Sequence, residues 1–380
     1  MTTLRIIIDD MLAPVPNGIS RYTEELARAL IVHAPLNCTV EGIVAASTEA
    51  EYANISDRLP GLRGLYKSSL ARRELVTAWQ HGFTRVPGGG MIHAPSLLAP
   101  LSRHDRLHDG QQIAVTIHDV VAWTHPDSLP SRRVAWHKAM AQRAFKYADA
   151  VVVPTHAVAV QLGEILDFGD RLRVIGGAVG SRLTAQPDAD ARAARLGLPD
   201  RYLLTIGGLE SRRGIDQLLA ALALPGATDL PLLVVGPDSE AEEGDGSVSA
   251  AAAEAGLPEG RVRALGALSD EDLSVVLDRA VMLVFPTLAE GFGLPMLEAF
   301  HFGTPVVHSD APALVEVAGE AGYGVELQGD GYPQRLLDAI NHVAGDQDLQ
   351  QRLGTYGRDR AGLFTWQAAA EKVWQLHADL

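Results

Sequence analysis

Two glutamates, Glu290 and Glu298, flank a Gly-Phe-Gly turn in the segment AEGFGLPMLEAF. Carboxylates at this spacing could bind a metal ion, exchange protons with a substrate, or simply belong to the architecture of a helix. Pro295 suits the first turn of a helix, where its missing N–H costs nothing. The loop amides and the positive end of the helix dipole would then form a site for an anion such as phosphate.

The two carboxylates suit a neutral polyol beside that anion. Carboxylates are strong acceptors for paired sugar hydroxyls, and we place Glu290 on the approach to the loop and Glu298 in the first helical turn. The helix dipole by itself also favours a glutamate in a first turn, which is the structural alternative. Nearby residues supply no third ligand in a metal-binding pattern, so the sequence disfavours a metal site.

A second candidate loop is IGGLESRRGID, which follows an apolar run and precedes a helical pattern. Gly207 and Gly208 would allow a ligand to approach the backbone closely. Arg212 and Arg213 would supply charge to a diphosphate in an otherwise acidic half of the chain. An adjacent arginine pair is also common at the start of a solvated helix, so its position after a buried strand is what favours the functional interpretation.

A third candidate loop, in VTIHDVVAWTHP, places His118 and Asp119 at the carboxyl end of a Val/Ile-rich strand. An imidazole there could bind a sugar hydroxyl or share charge with a reacting centre, although a purely structural histidine is the commoner case. Gly18, between the first strand and its helix, would let a ligand approach; a simple tight turn explains it equally well.

The elements that carry these loops alternate between apolar strands and amphipathic helices in both halves of the chain. Continuous apolar strands alternating with helices predict parallel sheets covered on both faces, and two such series predict two doubly wound α/β domains. We assign residues 1–175 to an N-terminal domain, 176–200 to a Gly/Pro/Ala/Asp-rich linker and 201–364 to a C-terminal domain. Ligands in such folds bind at the carboxyl ends of the strands, so the three loops would share a cleft.

Composition narrows the class of protein. Residues 1–175 carry 18 Lys and Arg against 17 Asp and Glu, or +1, and residues 176–380 carry 14 against 30, or −16, so the net charge of −15 comes from the later part of the chain. This charge argues against a nucleic-acid binder. The N-terminus lacks a signal-peptide pattern, no apolar run reaches the length of a membrane span, and the single cysteine excludes an internal disulfide, so we expect a cytoplasmic protein.

One basic stretch, residues 58–73, holds five cations and no acid, interleaved with Leu and Tyr. This pattern has two interpretations. The first is a surface that binds anionic lipid or a phosphorylated acceptor, and the second is an ordinary solvated loop and helix. A peripheral contact with the inner face of the membrane would follow from the first interpretation.

These segments together resemble the family 4 retaining glycosyltransferases of the GT-B fold. The stretch FPTLAEGFGLPMLEAFHFGTPVVHSDAPALVEVAGEAG is similar to that family's signature, including its E-x7-E glutamates, and YLLTIGGLESRRGIDQLLAAL, RVRALGALSDEDL and FTWQAAAEKVWQ follow in the family's order. NGISRYTEELARAL, IHAPSLLAP and TIHDVVAWTHPD resemble the subset with mannosyl- and rhamnosyltransferases of polysaccharide assembly. The likeness is most specific in the C-terminal half.

The resemblance implies a catalytic set of His118, Glu290, Arg212 and Arg213. Glu290 would contact the donor sugar, the arginines would neutralise the diphosphate leaving group, and His118 would approach the sugar from the N-terminal domain. Arg213 stands where the family more often has lysine. The residues implied for donor binding are Gly18, Asp119, Gly207, Gly208, Gly291, Phe292, Gly293, Leu294 and Glu298, with Glu298 on the ribose. Residues 365–380 would form a helix that crosses back onto the N-terminal domain.

The implied activity is metal-independent, retaining transfer of a hexose from a nucleotide-diphosphate sugar, with a GDP-mannose-like donor favoured. The acceptor would be a glycan, a lipid-linked or a small-molecule hydroxyl, and no cofactor would be needed. Two rivals share the fold: a nucleotide-sugar epimerase or hydrolase, and a non-catalytic nucleotide-sugar sensor. Neither rival would use an acceptor. A sensor would also not need residues that contact both the sugar and the diphosphate of the bond that breaks in transfer.

Overall fold

The computed structural model describes residues 2–13, 17–84, 90–105, 108, 110–236 and 247–380. The chain divides into two compact units. The first holds Met1–Pro126, Pro130–Gly180 and Thr365–Leu380, and the second holds Asp127–Leu129 and Ser181–Phe364. The division falls at Gly180, inside the segment that the sequence suggested as a linker. Part of that segment folds as a helix, Ala189–Leu196.

The first unit is built on a parallel sheet that has, over the described residues, seven strands in the order β3-β2-β1-β4-β5-β6-β7. The strands are β1 Thr2–Ile7, β2 Cys38–Ala46, β3 Leu65–Ala71, β4 Gly90–Ala94, β5 Gln111–Thr116, β6 Ala150–Val153 and β7 Leu172–Val174. Its helices are α1 Gly18–Val32, α2 Glu49–Arg58, α3 Arg72–His81, α4 Val121–Thr124, α5 Ser131–Tyr147, α6 His156–Ile165 and the C-terminal α15 Trp366–Asp379.

The second unit repeats the architecture with six parallel strands among the described residues, in the order β10-β9-β8-β11-β12-β13. The strands are β8 Leu203–Ile206, β9 Leu232–Val235, β10 Val262–Gly266, β11 Met282–Phe285, β12 Val306–Ser309 and β13 Tyr323–Val325. The helices are α7 Ala189–Leu196, α8 Ile215–Leu222, α9 Val248–Glu254, α10 Asp270–Arg279, α11 Leu294–Phe302, α12 Pro312–Ala318, α13 Tyr332–Gly345 and α14 Gln347–Gly362.

The prediction of two doubly wound α/β domains is confirmed. Central strands such as β6, β9 and β11 are buried at every position, because helices cover both faces of each sheet. That burial is why their sequences are unbroken runs of Ala, Val, Leu, Met and Phe instead of alternating polar and apolar residues.

The C-terminal helix α15 packs in the first unit. Ala370 and Val373 are fully buried there. The indole N–H groups of Trp366 and Trp374 donate to the carbonyls of Val179 (2.9 Å) and Leu30 (3.2 Å). Two indole anchors therefore fix the helix against segments far away in the chain. Among the described helices, none has both the length and the apolar character that crossing a membrane requires.

Candidate active site

In the second unit, the two predicted loops lie side by side because their strands are neighbours. β8 leads into Gly207 and β11 leads into the loop that ends at Gly293, and the strands pair at Leu203–Met282 and Leu204–Leu283. The carboxyl ends of paired parallel strands meet at one edge of the sheet. The sequence alone left this adjacency open, since 77 residues separate Arg213 from Glu290.

Backbone contacts join the two loops. The carbonyl of Arg212 accepts hydrogen bonds from the Leu288 amide (2.7 Å) and the Thr287 hydroxyl (2.9 Å). Gly214 has φ +65°, and a Cβ built there would lie 2.3 Å from the carbonyl oxygen of Pro286. Only glycine allows this approach, so Gly214 is a structural requirement of the site that sequence reasoning missed.

An ion pair spans the loops at their exposed edge. Arg213 Nη1 lies 2.8 Å from Glu290 Oε2, with both side chains about one-fifth exposed. The other carboxylate oxygen, Oε1, accepts a hydrogen bond of 3.2 Å from the Gly291 amide. The structure thus brings together two of the four predicted catalytic residues. Each is held in place by the other, in a charge-assisted bond that fixes both side chains.

The two glycines after β8, Gly207 and Gly208, each lie against a charged side chain of the same loop. Gly207 has φ +149°, and a Cβ there would lie 3.3 Å from the Arg213 side chain, which crosses over it. A Cβ on Gly208 would lie 2.7 Å from the carboxylate of Glu210. Small residues at both positions therefore leave room for neighbouring charged side chains.

The anion site expected at the start of α11 has the predicted backbone. Gly293 precedes the helix with φ +85°, where a Cβ would lie 2.6 Å from Leu314, and Pro295 occupies the first turn. The Phe292 side chain is buried and packs edge-on against Phe364, with ring centroids 5.6 Å apart. Phe292, Gly293 and Leu294 can therefore offer a ligand their backbone groups near the positive end of the helix dipole.

Glu298 differs from its sequence-based placement. The helix begins at Leu294, so Glu298 is its fifth residue and lies beyond the first turn. The residue is 2% exposed. The helix dipole acts mainly within the first turn, and burial of a carboxylate costs free energy, so the dipole does not explain this residue.

In the first unit, a cavity of about 210 Å³ forms where three neighbouring strands end. β1, β4 and β5 lie side by side in the sheet, and polar residues follow each of them: Asp10, Ser96, and His118 with Asp119. Asp10 accepts hydrogen bonds from Arg72 Nη2 (2.9 Å) and Ser96 Oγ (2.7 Å). The remaining lining residues are Ala13, Asn17, Ile19, Val76, Leu97, Leu98, Thr116, Ile117, Trp123, Arg133, Trp136 and His137.

His118 is oriented by its surroundings. Its Nε2 lies 2.7 Å from the carbonyl oxygen of Pro95, and its ring meets Tyr22 edge-on with centroids 4.7 Å apart. A carbonyl oxygen only accepts, so Nε2 carries the proton of this bond and Nδ1 is the basic nitrogen of the neutral ring. Asp119 accepts a hydrogen bond from the amide of Val121, the first residue of the short helix α4 (3.0 Å).

His137 is a titratable residue of this cavity that the sequence analysis did not single out. Burial lowers its pKa, the nearby Asp119 carboxylate opposes that shift, and the charge of Arg133 adds to it. His137 lies inside a basic helix, and the sequence around it does not indicate a role in a binding site. Asp10 and Ser96, by contrast, could have been found, because each directly follows an apolar strand.

Gly18 lies at the start of α1 and not in a tight turn. Asn17 caps the helix by accepting hydrogen bonds from the amides of Ile19 (3.0 Å) and Ser20 (3.1 Å). A Cβ on Gly18 would meet no atom within 4 Å. Glycine is therefore not required there by the local fold, and the space beside it is open to a ligand.

Most cations of residues 58–73 have partners inside the first unit. Arg58 pairs with Glu24, Lys67 with Glu49 at 3.2 Å, and Arg72 with Asp9 and Asp10. In the described parts of the chain, no group of three or more His, Cys, Asp or Glu side chains converges in the manner of metal ligands. The absence of a metal or cofactor from the reaction stays an expectation.

The comparisons with known proteins agree with this architecture. Over the whole chain, the fold matches the sucrose-phosphate synthase of Thermosynechococcus elongatus (TM-score 0.73, 23% identity, 99% of that chain covered) and Anabaena HepE in complex with UDP and glucose (TM-score 0.72, 17% identity, 100% covered). Residues 188–360 match the family of glycosyl transferases group 1. The chain has the GT-B fold, and the segment that matches this family makes up a little under half of its length.

Mannosyltransferases are among the proteins to which this chain is similar. The chain is 27% identical to the O-antigen chain mannosyltransferase B of Escherichia coli over 374 residues, which cover 92% of this chain and 93% of the relative. It is 28% identical to the MMP alpha-(1->4)-mannosyltransferase of Mycolicibacterium hassiacum over 337 residues, which cover 81% and 78% of the two chains.

Proposed function

We propose that this protein transfers a mannose residue from a GDP-mannose-like donor to a hydroxyl of a glycan, lipid-linked or small-molecule acceptor, with retention of anomeric configuration and without a metal. The observation that carries the proposal is the Arg213–Glu290 pair, which lies beside the start of α11 on two adjacent strand-end loops. In this proposal Arg213 serves a phosphate of the donor and the neighbouring Glu290 serves the sugar hydroxyls. The names of the two mannosyltransferases to which the chain is similar favour mannose as the transferred sugar.

The proposed roles follow from how charge moves in the reaction. As the anomeric C–O bond breaks, the sugar becomes cationic and the departing diphosphate gains negative charge. Arg212, Arg213 and the amides before α11 stabilise the diphosphate, and preorganised groups of this kind supply a large share of enzymatic rate enhancement. Glu290 binds the donor sugar and Glu298 the ribose. Gly18 borders the phosphates, and His118 with Asp119 forms the wall of the first unit's cavity that meets the sugar.

Retention has two chemical routes. The acceptor hydroxyl can attack on the face from which the diphosphate leaves, giving its proton to the departing phosphate oxygen. Alternatively, a carboxylate or other nucleophile forms a covalent glycosyl intermediate, which the acceptor then displaces. Both routes deliver the same product, so the proposal does not depend on the choice between them.

A nucleotide screen followed by product analysis tests the proposal. GDP should stabilise the protein against heat more than UDP, dTDP or ADP, because selective binding to the native state raises its stability. Turnover of GDP-mannose should then require an acceptor, and NMR should show the α-anomer in both donor and product. Donor consumption that no acceptor changes would support the epimerase or hydrolase instead. Binding without any turnover would support the sensor.

A further inference from the structure

Helix α5 carries an unusual charge for this protein. Its sequence SRRVAWHKAMAQRAFKY contains Arg132, Arg133, Lys138, Arg143 and Lys146 and no acid, in a chain of net charge −15. Among the described residues, none of these five cations forms an ion pair. Like charges at helical spacing repel one another, so such a helix is stabilised by an anionic partner.

The charges of residues 58–73 show the contrast. Arg58, Lys67 and Arg72 each lie against a carboxylate of the same unit. Each carboxylate offsets the charge of its cation, so the net positive charge of this segment is smaller than its five cations suggest. The cations of α5 have no carboxylate partner among the described residues, which makes α5 the stronger candidate for an anion-binding face.

The exposed side of α5 forms a continuous surface with the end of α3. Arg132, Ala139, Arg143 and Lys146 are spaced by seven, four and three residues, which places them on one side of a helix. Met140, Ala141 and Ala144 are fully buried on the opposite side. Arg143 is steadied by a hydrogen bond to the Leu101 carbonyl and by the Tyr147 ring 5.2 Å away.

A groove of about 290 Å³ lies between the two helices on this surface. It is lined by Gln80, His81, Ala139, Gln142, Arg143, Lys146 and Tyr147. At the end of α3, Phe83 is 78% exposed and its ring stacks on His81 with centroids 5.4 Å apart. A cationic groove with an exposed aromatic ring beside it combines charge for a phosphate headgroup with an apolar group for the acyl boundary.

We infer that the exposed side of α5, together with His81 and Phe83, is a docking surface for an anionic lipid bilayer. A soluble polyanion would use the cations equally well but would gain nothing from Phe83. A bilayer uses both, because aromatic side chains insert at the headgroup level while cations bind the anionic surface. The surface would hold the enzyme where lipid-linked acceptors are found, although binding itself requires no donor or acceptor.

Vesicle sedimentation of the full chain tests this inference. The protein should bind vesicles of phosphatidylcholine mixed with phosphatidylglycerol, not vesicles of phosphatidylcholine alone, and salt should weaken the binding. The R132Q/K146Q variant should bind the mixed vesicles about 25-fold more weakly, from about fivefold per cation near the surface. F83S should also weaken binding while leaving the charge unchanged.

The matched control is R63Q/K67Q, which removes the same charge from residues 58–73. It should bind as the wild type does, and GDP-dependent thermal stabilisation should be unchanged in all three variants, which shows that they fold. Absence of wild-type binding to the mixed vesicles would overturn the inference, as would equal losses in R132Q/K146Q and R63Q/K67Q. Binding of heparin but not of vesicles would assign the surface to a soluble polyanion.

Discussion

At the scale of single residues, the site is defined by charges that hold one another in place. Arg213 and Glu290 pair at 2.8 Å, and the Gly291 amide supports the same carboxylate. A side chain that is already fixed loses less freedom when a ligand binds, so under our proposal this pair is preorganised for a donor that carries both phosphate and hydroxyls.

The arginine pair should act mainly on the transition state. We expect R212A/R213A to lower kcat by about a hundredfold to a thousandfold, since negative charge on the leaving group grows as the bond breaks. Steady-state kinetics with GDP-mannose measures this, and calorimetry with GDP should show a smaller change. R201A/R352A removes two exposed cations of the same unit and should keep wild-type turnover. Equal turnover in both double variants would contradict the electrostatic role.

Glu298 should act on nucleotide affinity. E298Q keeps the shape of the side chain but loses the charge that strengthens a hydrogen bond to ribose, so we expect GDP to bind about tenfold more weakly by calorimetry. E320Q, on an exposed position of the same unit, is the control. Unchanged GDP affinity in E298Q would remove the residue from the ribose role.

At the scale of elements, two loops and one helix depend on close packing. Gly214 lets the loop after β8 approach the loop after β11, and α15 completes the core of the first unit. Both arrangements involve contacts between segments that are distant in the chain. Their disruption should therefore be visible in stability as well as in activity.

G214A should destabilise the protein by about 2 kcal/mol or more in urea unfolding. The added Cβ would combine a left-handed backbone conformation with a clash against the Pro286 carbonyl. G18A is the matched control: it meets no atom within 4 Å and should change stability by less than about 1 kcal/mol. If Gly18 borders the donor phosphates, G18A should nevertheless raise the KM for the donor. A stable G214A would contradict the steric account.

The docking of α15 should depend on pH through two buried histidines. His93 on β4 and His377 on α15 face each other with ring centroids 5.6 Å apart, and both nitrogens of His93 are buried without a hydrogen-bond partner. His377 Nδ1 lies 3.3 Å from Gln112 Oε1. Burial lowers the pKa of His377 from 6.5 to about 4, with Asp149 opposing the shift. Burial and the neighbouring His377 also lower the pKa of His93.

Both folded-state pKa values lie below the unfolded value, so the unfolded chain binds protons that the native chain does not. Stability is full above pH 6.5 and falls as pH decreases, with His377 alone contributing a loss of about 3 kcal/mol by pH 4. H377Q should flatten this slope in urea unfolding from pH 7 to 5. Replacement of the exposed His301 by glutamine should not. Parallel slopes for all three proteins would contradict the prediction.

At the scale of the whole molecule, the candidate sites are distributed over the two units. The Arg213–Glu290 site lies in the second unit, while the His118 cavity, α5 and α15 lie in the first. The net negative charge lies after residue 175, so an anionic donor in the second unit would have to be held by local groups against an unfavourable long-range field.

Calorimetry of the full chain should separate the units. GDP at a hundredfold excess over its Kd adds about 2.7 kcal/mol to the stability of the unit that binds it. We expect GDP to raise the unfolding transition of the second unit, which G214A identifies by lowering it. The transition of the first unit, which H377Q identifies, should not shift. A GDP shift confined to the transition marked by H377Q would place nucleotide binding in the first unit and contradict our assignment.

The sequence by itself determined the fold and the candidate loops. Runs such as those of β6 and β11 are apolar because both faces of a parallel sheet are covered, so strand positions and the polar loops after them can be read directly. The glycines and Pro295 of the loop before α11 likewise indicate local backbone geometry, which depends on neighbouring residues only.

Only the tertiary structure decided which loops meet. The Arg213–Glu290 pair, the Gly214–Pro286 contact and the Asp10–Ser96 hydrogen bond follow from the order of strands in each sheet, which the local sequence pattern does not encode. Helix bounds are also set by packing, which is why Glu298 lies beyond the first turn and is buried. Burial and pairing arise between distant segments, so only the tertiary structure shows that Arg58, Lys67 and Arg72 lie against carboxylates. The cations of α5, over the part of the chain that the structure describes, form no ion pair.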